Sequence, residues 1–211
     1  MKLQIGLASS VKSVDEPGEV SLIAGIDVSV GRLGDMGRAA VVVLKYPSLE
    51  IVAESVHEGP AVMAYIPGLL SFRELPLILP ALEKLELVPD LFIVDGQGVA
   101  HPRRLGIAAH LGLFTAKPTI GCAKSRLCGE HREVGGAKGD SVELFDKGEI
   151  IGRVLRTKNG SKPVYVSVGH NISLETATAW VLKVCGPYRL PEPVRQAHLS
   201  AGEKKLTAGK L

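Results

Sequence analysis

DLFIVDGQGVAHPRRLGIAAHLGLFTAKPTIGCA, residues 90–123, is the stretch whose reading decides the fold. It opens on DLFIVDG (90–96), a continuous apolar run closed by Asp-Gly. A strand buried on both faces of a parallel sheet reads this way. The pattern then predicts a helix over 103–114 and a second apolar strand, PTIGCA, at 118–123. Strand, helix and strand in this order form a βαβ-like unit, and the helical crossover makes its two strands parallel.

Working toward the N-terminus, VSLIAGIDVSV (20–30) alternates and is rich in β-branched residues, with Leu22, Ala24, Ile26 and Val28 on one face. Gly31, Gly34 and Gly37 mark a turn, and strands follow at 39–46 and 49–56 across Pro47-Ser48, completing a three-stranded antiparallel meander. Residues 69–85 carry helical periodicity that Pro76 and Pro80 are expected to break or kink. Toward the C-terminus, strands are expected at 141–146, 150–156 and 163–168. Ser173 caps a helix running to Cys185, and Pro191 and Pro193 start a last helix carrying Arg195 and His198. The Lys-rich end is expected to fray. The whole reads as one α/β domain over 1–211: a mixed β-sheet with helices on both faces, the meander followed by parallel strands.

Composition sets the outer limits. With 211 residues, 45% hydrophobic and 22% charged, the chain excludes a disordered tail, a collagen and a disulfide-built miniprotein. No apolar run approaches the about 18 residues of a membrane span, and Gln4 and Gly6 interrupt the N-terminal apolar stretch. A cytoplasmic protein is expected, with no membrane partner. Cys122, Cys128 and Cys185 form no CxxC and no zinc pattern, and read as reduced thiols. Charge is unevenly spread: residues 1–95 hold 7 Lys/Arg against 13 Asp/Glu, and residues 96–211 hold 18 against 9. From Gly96 to Gly129 no acid occurs, while Arg103, Arg104, Lys117, Lys124 and Arg126 accumulate. A polyanion partner fits this distribution, and so does a chance asymmetry of solvated faces.

Three carboxylates stand out. Asp27 interrupts an apolar strand, where a buried carboxylate is costly unless paired or bound to a cation; a partly solvated face (Ile23, Gly25, Asp27, Ser29) explains it equally well. Asp95 ends a strand at the position where open α/β sheets hold ligands, although Asp-Gly is also ordinary turn chemistry. Glu74, in GLLSFRE, lies on an apolar helix and alone reads as an exposed helix charge. Together they offer oxygen ligands without Cys or paired His, a set that suits Mg²⁺ or Mn²⁺ rather than zinc. DGQGVAHPRRLG lacks the third glycine and the downstream acid of a dinucleotide loop, which excludes that cofactor. His101, Arg103 and Arg104 after one strand, and Lys124-Ser125-Arg126 after the next, are expected to converge and neutralise phosphates. Tyr65, in AYIPGLL, either packs under its loop with Ile66 or acts as a wedge between bases.

The segments GIDVS (25–29), YIPGLLSFRE (65–74), VDGQGVAHPRRLGIAAHLGL (94–113), TIGCAKSRL (119–127), VSVGH (166–170) and PEPVRQAH (191–198) together resemble the endonuclease V family, in its order and spacing. The resemblance implies a ribonuclease-H-like fold and a Mg²⁺-dependent endonuclease, with Mn²⁺ as a substitute. It also implies recognition of inosine in DNA and hydrolysis of the second phosphodiester bond on its 3′ side, leaving 3′-hydroxyl and 5′-phosphate ends. Carried across, Asp27, Glu74 and Asp95 bind the metal, His198 stands near the attacking water and Lys124 lines the scissile phosphate. Tyr65, Ile66 and Pro67 belong to the wedge loop. Gly68, Leu70, Gly96, Ile107 and Leu127 surround the flipped base, and His101 and Arg103 are expected among the substrate-binding residues.

Two departures carry consequences. Ala64 stands where the wedge has proline, which loosens that loop, and the segment before GIDVS is short, so the N-terminal helix is expected to be missing or reduced. A monomer is expected. The competing readings are a non-catalytic nucleic-acid-binding module and a related nuclease acting on flaps, mismatches or inosine-containing RNA.

Overall fold

A computed structural model describes residues 1–202 apart from Pro17 and Leu33, and the Lys-rich end lies outside the described residues. In chain order the elements are α1 (Lys2–Ala8), β1 (Leu22–Ser29), β2 (Met36–Lys45), β3 (Glu50–Pro60), α2 (Leu70–Glu83), β4 (Leu91–Val94) and α3 (Ile107–Thr115). There follow β5 (Thr119–Ala123), β6 (Ser141–Asp146), β7 (Glu149–Leu155), β8 (Val164–His170), α4 (Leu174–Lys183) and α5 (Glu192–Gly202). The eight strands make one sheet in the order β3-β2-β1-β4-β5-β8-β7-β6.

The expected βαβ unit is present. β4 lies parallel to β1 on one side and to β5 on the other, so three successive parallel strands end at the same edge. The meander β1-β2-β3 pairs antiparallel, and β8, β7 and β6 extend the far side antiparallel. The period of two along the strands sorts side chains onto two cores. Ala24, Ile26, Phe92 and Val94 face α2 and α3, whereas Ile23, Leu91, Ile93, Ile120 and Cys122 face the α4 and α5 side. Ser173 caps α4 as expected, its side chain accepting from the Thr176 N–H.

Two expectations are corrected. Pro76 and Pro80 do not break α2, which is continuous over 14 residues. An interior proline costs about 3 kcal/mol, while burying a large aliphatic side chain contributes about 2 kcal/mol. Leu75, Leu77 and Ile78 are all buried and offset the two prolines, which lie toward the outer side of the helix. The helix expected from 103 begins at Ile107, because residues 101–104 form a turn closed by the Arg104 N–H and the His101 carbonyl. The N-terminal helix is reduced, as expected, to the seven residues of α1.

The face of β1 that carries Asp27 is covered at Ile23 and Gly25 and opens toward the strand end, where Asp27 is half-buried and Ser29 exposed. Gly25 is buried, and a Cβ there would run into the Pro193 carbonyl of α5. The helix backbone approaches the strand this closely only because no side chain intervenes.

Candidate active site

β1 and β4 lie side by side with Ile26 opposite Val94, so Asp27 and Asp95 follow at the same level on adjacent strand ends. The Asp95 N–H donates to the Ile26 carbonyl at 2.9 Å, which holds the second aspartate against the end of the first strand. His198 arrives from α5. From Pro193, over Gly25, five helical residues rise about 7.5 Å, and the two strand residues from Gly25 to Asp27 span about 6.6 Å. The two advances match, and His198 Nδ1 reaches Asp27 Oδ2 at 2.5 Å. Ligand atoms of Asp27, Asp95 and His198 all lie within 4.8 Å of one another.

Lys124 follows β5, the third parallel strand. Its Nζ is 2.5 Å from Asp95 Oδ2 and 3.3 Å from His198 Nδ1. A His198 ring that donates from Nδ1 to Asp27 and carries no second hydrogen has Nε2 as its acceptor nitrogen. Asp27 also accepts from the Val28 N–H through its other oxygen, at 2.8 Å.

Glu74 sits on α2 with only 8% exposure, outside the tight cluster but close enough to feel both aspartates. Burial first, then the Asp27 charge, pushes its carboxyl up to about 8, and the neighbouring Arg73 only partly offsets this. Asp95 is likewise raised, by burial and by Asp27, against the lowering effect of Lys124. Carboxylates with raised proton affinity mark a site with more negative charge than its surroundings neutralise. The donors are oxygens and one imidazole, with no thiolate among them. Such a set fits a hard divalent cation.

A small pocket of about 60 Å³ is built on the same segments. Its walls include Leu70 and Ser71, one turn before Glu74 on α2; Gln97, two residues after Asp95; and Leu127, three residues after Lys124. Gly68, His101 and Ile107 also line it, and Tyr65, 60% exposed, stands at it. Gly96 lies behind the wall, where a Cβ would press on Ile107 Cγ2. Ile66 and Pro67 are exposed and do not line it. The loops after β4 and β5 do converge as expected, with Gln97 Nε2 donating to the Ser125 carbonyl at 2.9 Å.

The basic segment after β4 behaves differently from the expectation. Arg104 is held by Asp146 and Glu149, both at 2.9 Å. Arg103 donates from Nη2 to the Gly68 carbonyl at 2.6 Å and from Nε to Gln4 Oε1 at 2.5 Å. His101 is buried, accepts the Arg103 N–H at Nδ1, and is driven down to about 4 by burial and by Arg103, so its ring is neutral near pH 7. These groups are engaged in shaping the pocket and the loops, not presented as free charge.

Sequence reading missed two supports. Arg189 donates to the Lys124 and Pro163 carbonyls at 2.6 and 2.8 Å and to Lys162 at 2.8 Å, fastening the loop that carries Lys124. Gln4 lies buried against the pocket. Neither carries a local signal, because the partners of both are distant in sequence.

A mixed sheet with this strand order, and paired aspartates at the ends of its central parallel strands, defines a nuclease of the ribonuclease-H-like class. Residues 5–199 match the family model of Endonuclease V, and the chain belongs to that family. It is accordingly an endonuclease, hydrolysing phosphodiester bonds. An Endonuclease V of Dehalococcoides mccartyi is 54% identical over 201 residues, 95% of this chain and 90% of the relative. The crystal structure of the Streptomyces avermitilis Endonuclease V is 42% identical with a TM-score of 0.87, over 94% of this chain and 89% of that one. The Ciona intestinalis Endonuclease V, solved with a 24mer DNA containing an inosine followed by a ribo-adenosine, is 29% identical with a TM-score of 0.81, over 95% of this chain and 93% of that one.

Proposed function

We propose that this chain, as a single-domain monomer acting in the cytoplasm, repairs DNA by nicking a strand that contains deoxyinosine. The cut falls at the second phosphodiester bond on the 3′ side of the lesion. The observation that carries the reading is the shared origin of two sites. α2 and the loops after β4 and β5 supply Glu74, Asp95 and Lys124, and within four residues of each they also supply walls of the small pocket. A base held in that pocket therefore sets where along the strand the reacting groups fall.

Asp27 and Asp95, with Glu74 behind them, are the residues that would hold Mg²⁺, with Mn²⁺ as a substitute. Such a cation supplies neutralisation of the phosphate charge and acidifies a water near neutral pH. Lys124 would contact a non-bridging oxygen of the scissile phosphate once it leaves Asp95. His198, oriented by its hydrogen bond to Asp27, would hold the attacking water and take its proton at Nε2. Attack at phosphorus forms one P–O bond and breaks the bond to O3′. The leaving oxygen takes a proton and ends as the 3′-hydroxyl, and the phosphate stays on the 5′ end.

Recognition of the base follows from hydrogen-bond polarity. Hypoxanthine presents N1–H and an O6 acceptor, where adenine presents a bare N1 and an amino group. Gly68, Leu70, Ile107 and Leu127 line the pocket, with His101 neutral among them and Gly96 behind the wall, and the backbone of these residues would supply the groups that meet the base. Fixed backbone donors and acceptors reject a base whose polarity is reversed. Tyr65, Ile66 and Pro67, exposed at the tip of their loop, are suited to fill the gap left when the base leaves the stack.

The test is a 5′-labelled duplex with one deoxyinosine, incubated with protein and Mg²⁺ and mapped on a sequencing gel. One nick, a single nucleotide beyond the inosine, absent in EDTA and on the adenine duplex, is expected. Retention without a nick moves the assignment to a binding module. A parallel strand with a ribonucleotide after inosine tests RNA-like substrates, in view of the ribo-adenosine in the Ciona complex.

A further inference from the structure

We infer that Gln4, from the N-terminal helix, is a positioning residue for base recognition: its carboxamide ties together two loops that line the pocket. The inference rests on the base-recognition reading above. α1 is exposed along most of its length, yet Gln4 is 1% exposed, and it is polar. Its Nε2 donates to the Gly68 carbonyl and to the Leu105 carbonyl, each at 2.9 Å. Its Oε1 accepts from Arg103 Nε at 2.5 Å. Arg103 Nη2 returns to the same Gly68 carbonyl at 2.6 Å, closing a ring of Gln4, Gly68 and Arg103.

Gly68 ends the loop that leads into α2, and Leu105 stands just before α3; both line the pocket. Gly68 holds a left-handed conformation (φ +78°), and a Cβ there would meet the Arg103 guanidinium. The wall is therefore set by where its carbonyl is held, because glycine itself imposes no preferred geometry. Of the ordinary side chains, a carboxamide of this length gives two N–H donors and one acceptor from a single planar group. Glutamate keeps the acceptor for Arg103 but has no hydrogen for either carbonyl. Methionine keeps the volume and neither function. Without Gln4, the spacing between the loops relaxes and base fit loosens, while the aspartates on β1 and β4 keep their register.

The experiment compares wild type with Gln4→Met, Gln4→Glu and the exposed-side control Leu3→Ala. Affinity for fluorescein-labelled duplexes with deoxyinosine or adenine at one position is read by anisotropy in Ca²⁺. Single-turnover nicking is read in Mg²⁺ at saturating protein, and each variant is melted. Two unmade buried hydrogen bonds predict an inosine-over-adenine preference reduced about tenfold or more in both Gln4 variants. The saturated rate stays within about twofold of wild type, and Leu3→Ala behaves as wild type. A preference that survives in both Gln4 variants overturns the inference, including the case where only their melting temperature falls. So does a saturated rate that drops in proportion to affinity. If wild type itself shows no preference for inosine, the base-recognition reading has failed, and the inference falls with it.

Discussion

Replacing Glu74 with Gln removes a charge that the fold buries beside two others, and in EDTA the exchange is expected to stabilise the protein while abolishing cleavage. Burial, together with Asp27 and Asp95, carries this carboxyl from an ordinary 4.5 up to about 8. Each tenfold change in proton affinity corresponds to about 1.4 kcal/mol. The sign follows from proton counting. The folded state binds the Glu74 proton more tightly than the unfolded chain, so below about pH 4.5 both states are protonated and the group costs nothing. As pH rises the unfolded chain ionises first, and folding loses about 3 kcal/mol by pH 7 and about 5 kcal/mol above pH 8. Gln carries no such charge. The difference between variant and wild type should open with pH, reaching a melting-temperature gain on the order of 6–12 °C near pH 7 for a domain of this size. Thermal melts in EDTA from about pH 5 to pH 8.5 measure it directly. Added Mg²⁺ should then raise the wild-type melt more than that of the variant, because a cation that binds the folded state and not the unfolded one stabilises by mass action. A difference flat across that range, or a variant less stable than wild type near pH 8, would refute the electrostatic account of the site.

Other substitutions probe the remaining parts. Asp95→Asn is expected to abolish the Mg²⁺-dependent nick while retaining binding to inosine-containing duplex in Ca²⁺; gel mapping beside a retardation assay separates the two. Gly25→Ala puts a methyl group into the Pro193 carbonyl, which should cost about 3 kcal/mol of stability and lower nicking by pulling His198 away from Asp27, read by melting and by single-turnover rate. Tyr65→Ala removes an exposed aromatic ring worth about 1–3 kcal/mol if it stacks on a base. It should weaken binding about tenfold and leave the position of the nick unchanged, as titration and a sequencing gel would show.

Much of the architecture is legible locally. DLFIVDG and PTIGCA read as buried parallel strands because both of their faces are apolar, and β4 and β5 are those strands. Asp27 and Asp95 stand out because a carboxylate closing an apolar run has to be accounted for, and the parallel register brings them side by side. Ser173 announces its helix because an N-cap is satisfied within three residues. Where the reading erred, a distant partner decided. α2 passes through two prolines because its apolar side chains are buried on the sheet. Arg104 carries no free charge because the β6–β7 hairpin brings Asp146 and Glu149 to it.

By itself, then, the sequence determined the strands and the Ser173 cap and singled out Asp27 and Asp95, since these depend on period, burial and neighbours a few residues away, while the rest of the candidate set came from the family resemblance. The tertiary structure alone decided which of those side chains meet. His198 lies 171 residues from Asp27, and the glycine that admits α5 onto β1 has meaning only once the helix is there. Gln4 looks like an unremarkable residue of a short exposed helix until two carbonyls from loops far along the chain close around it. Periodicity encodes which face of an element is buried. Which element covers that face is set by the packing of the whole chain, because contacts between residues so far apart form only when the intervening chain has folded.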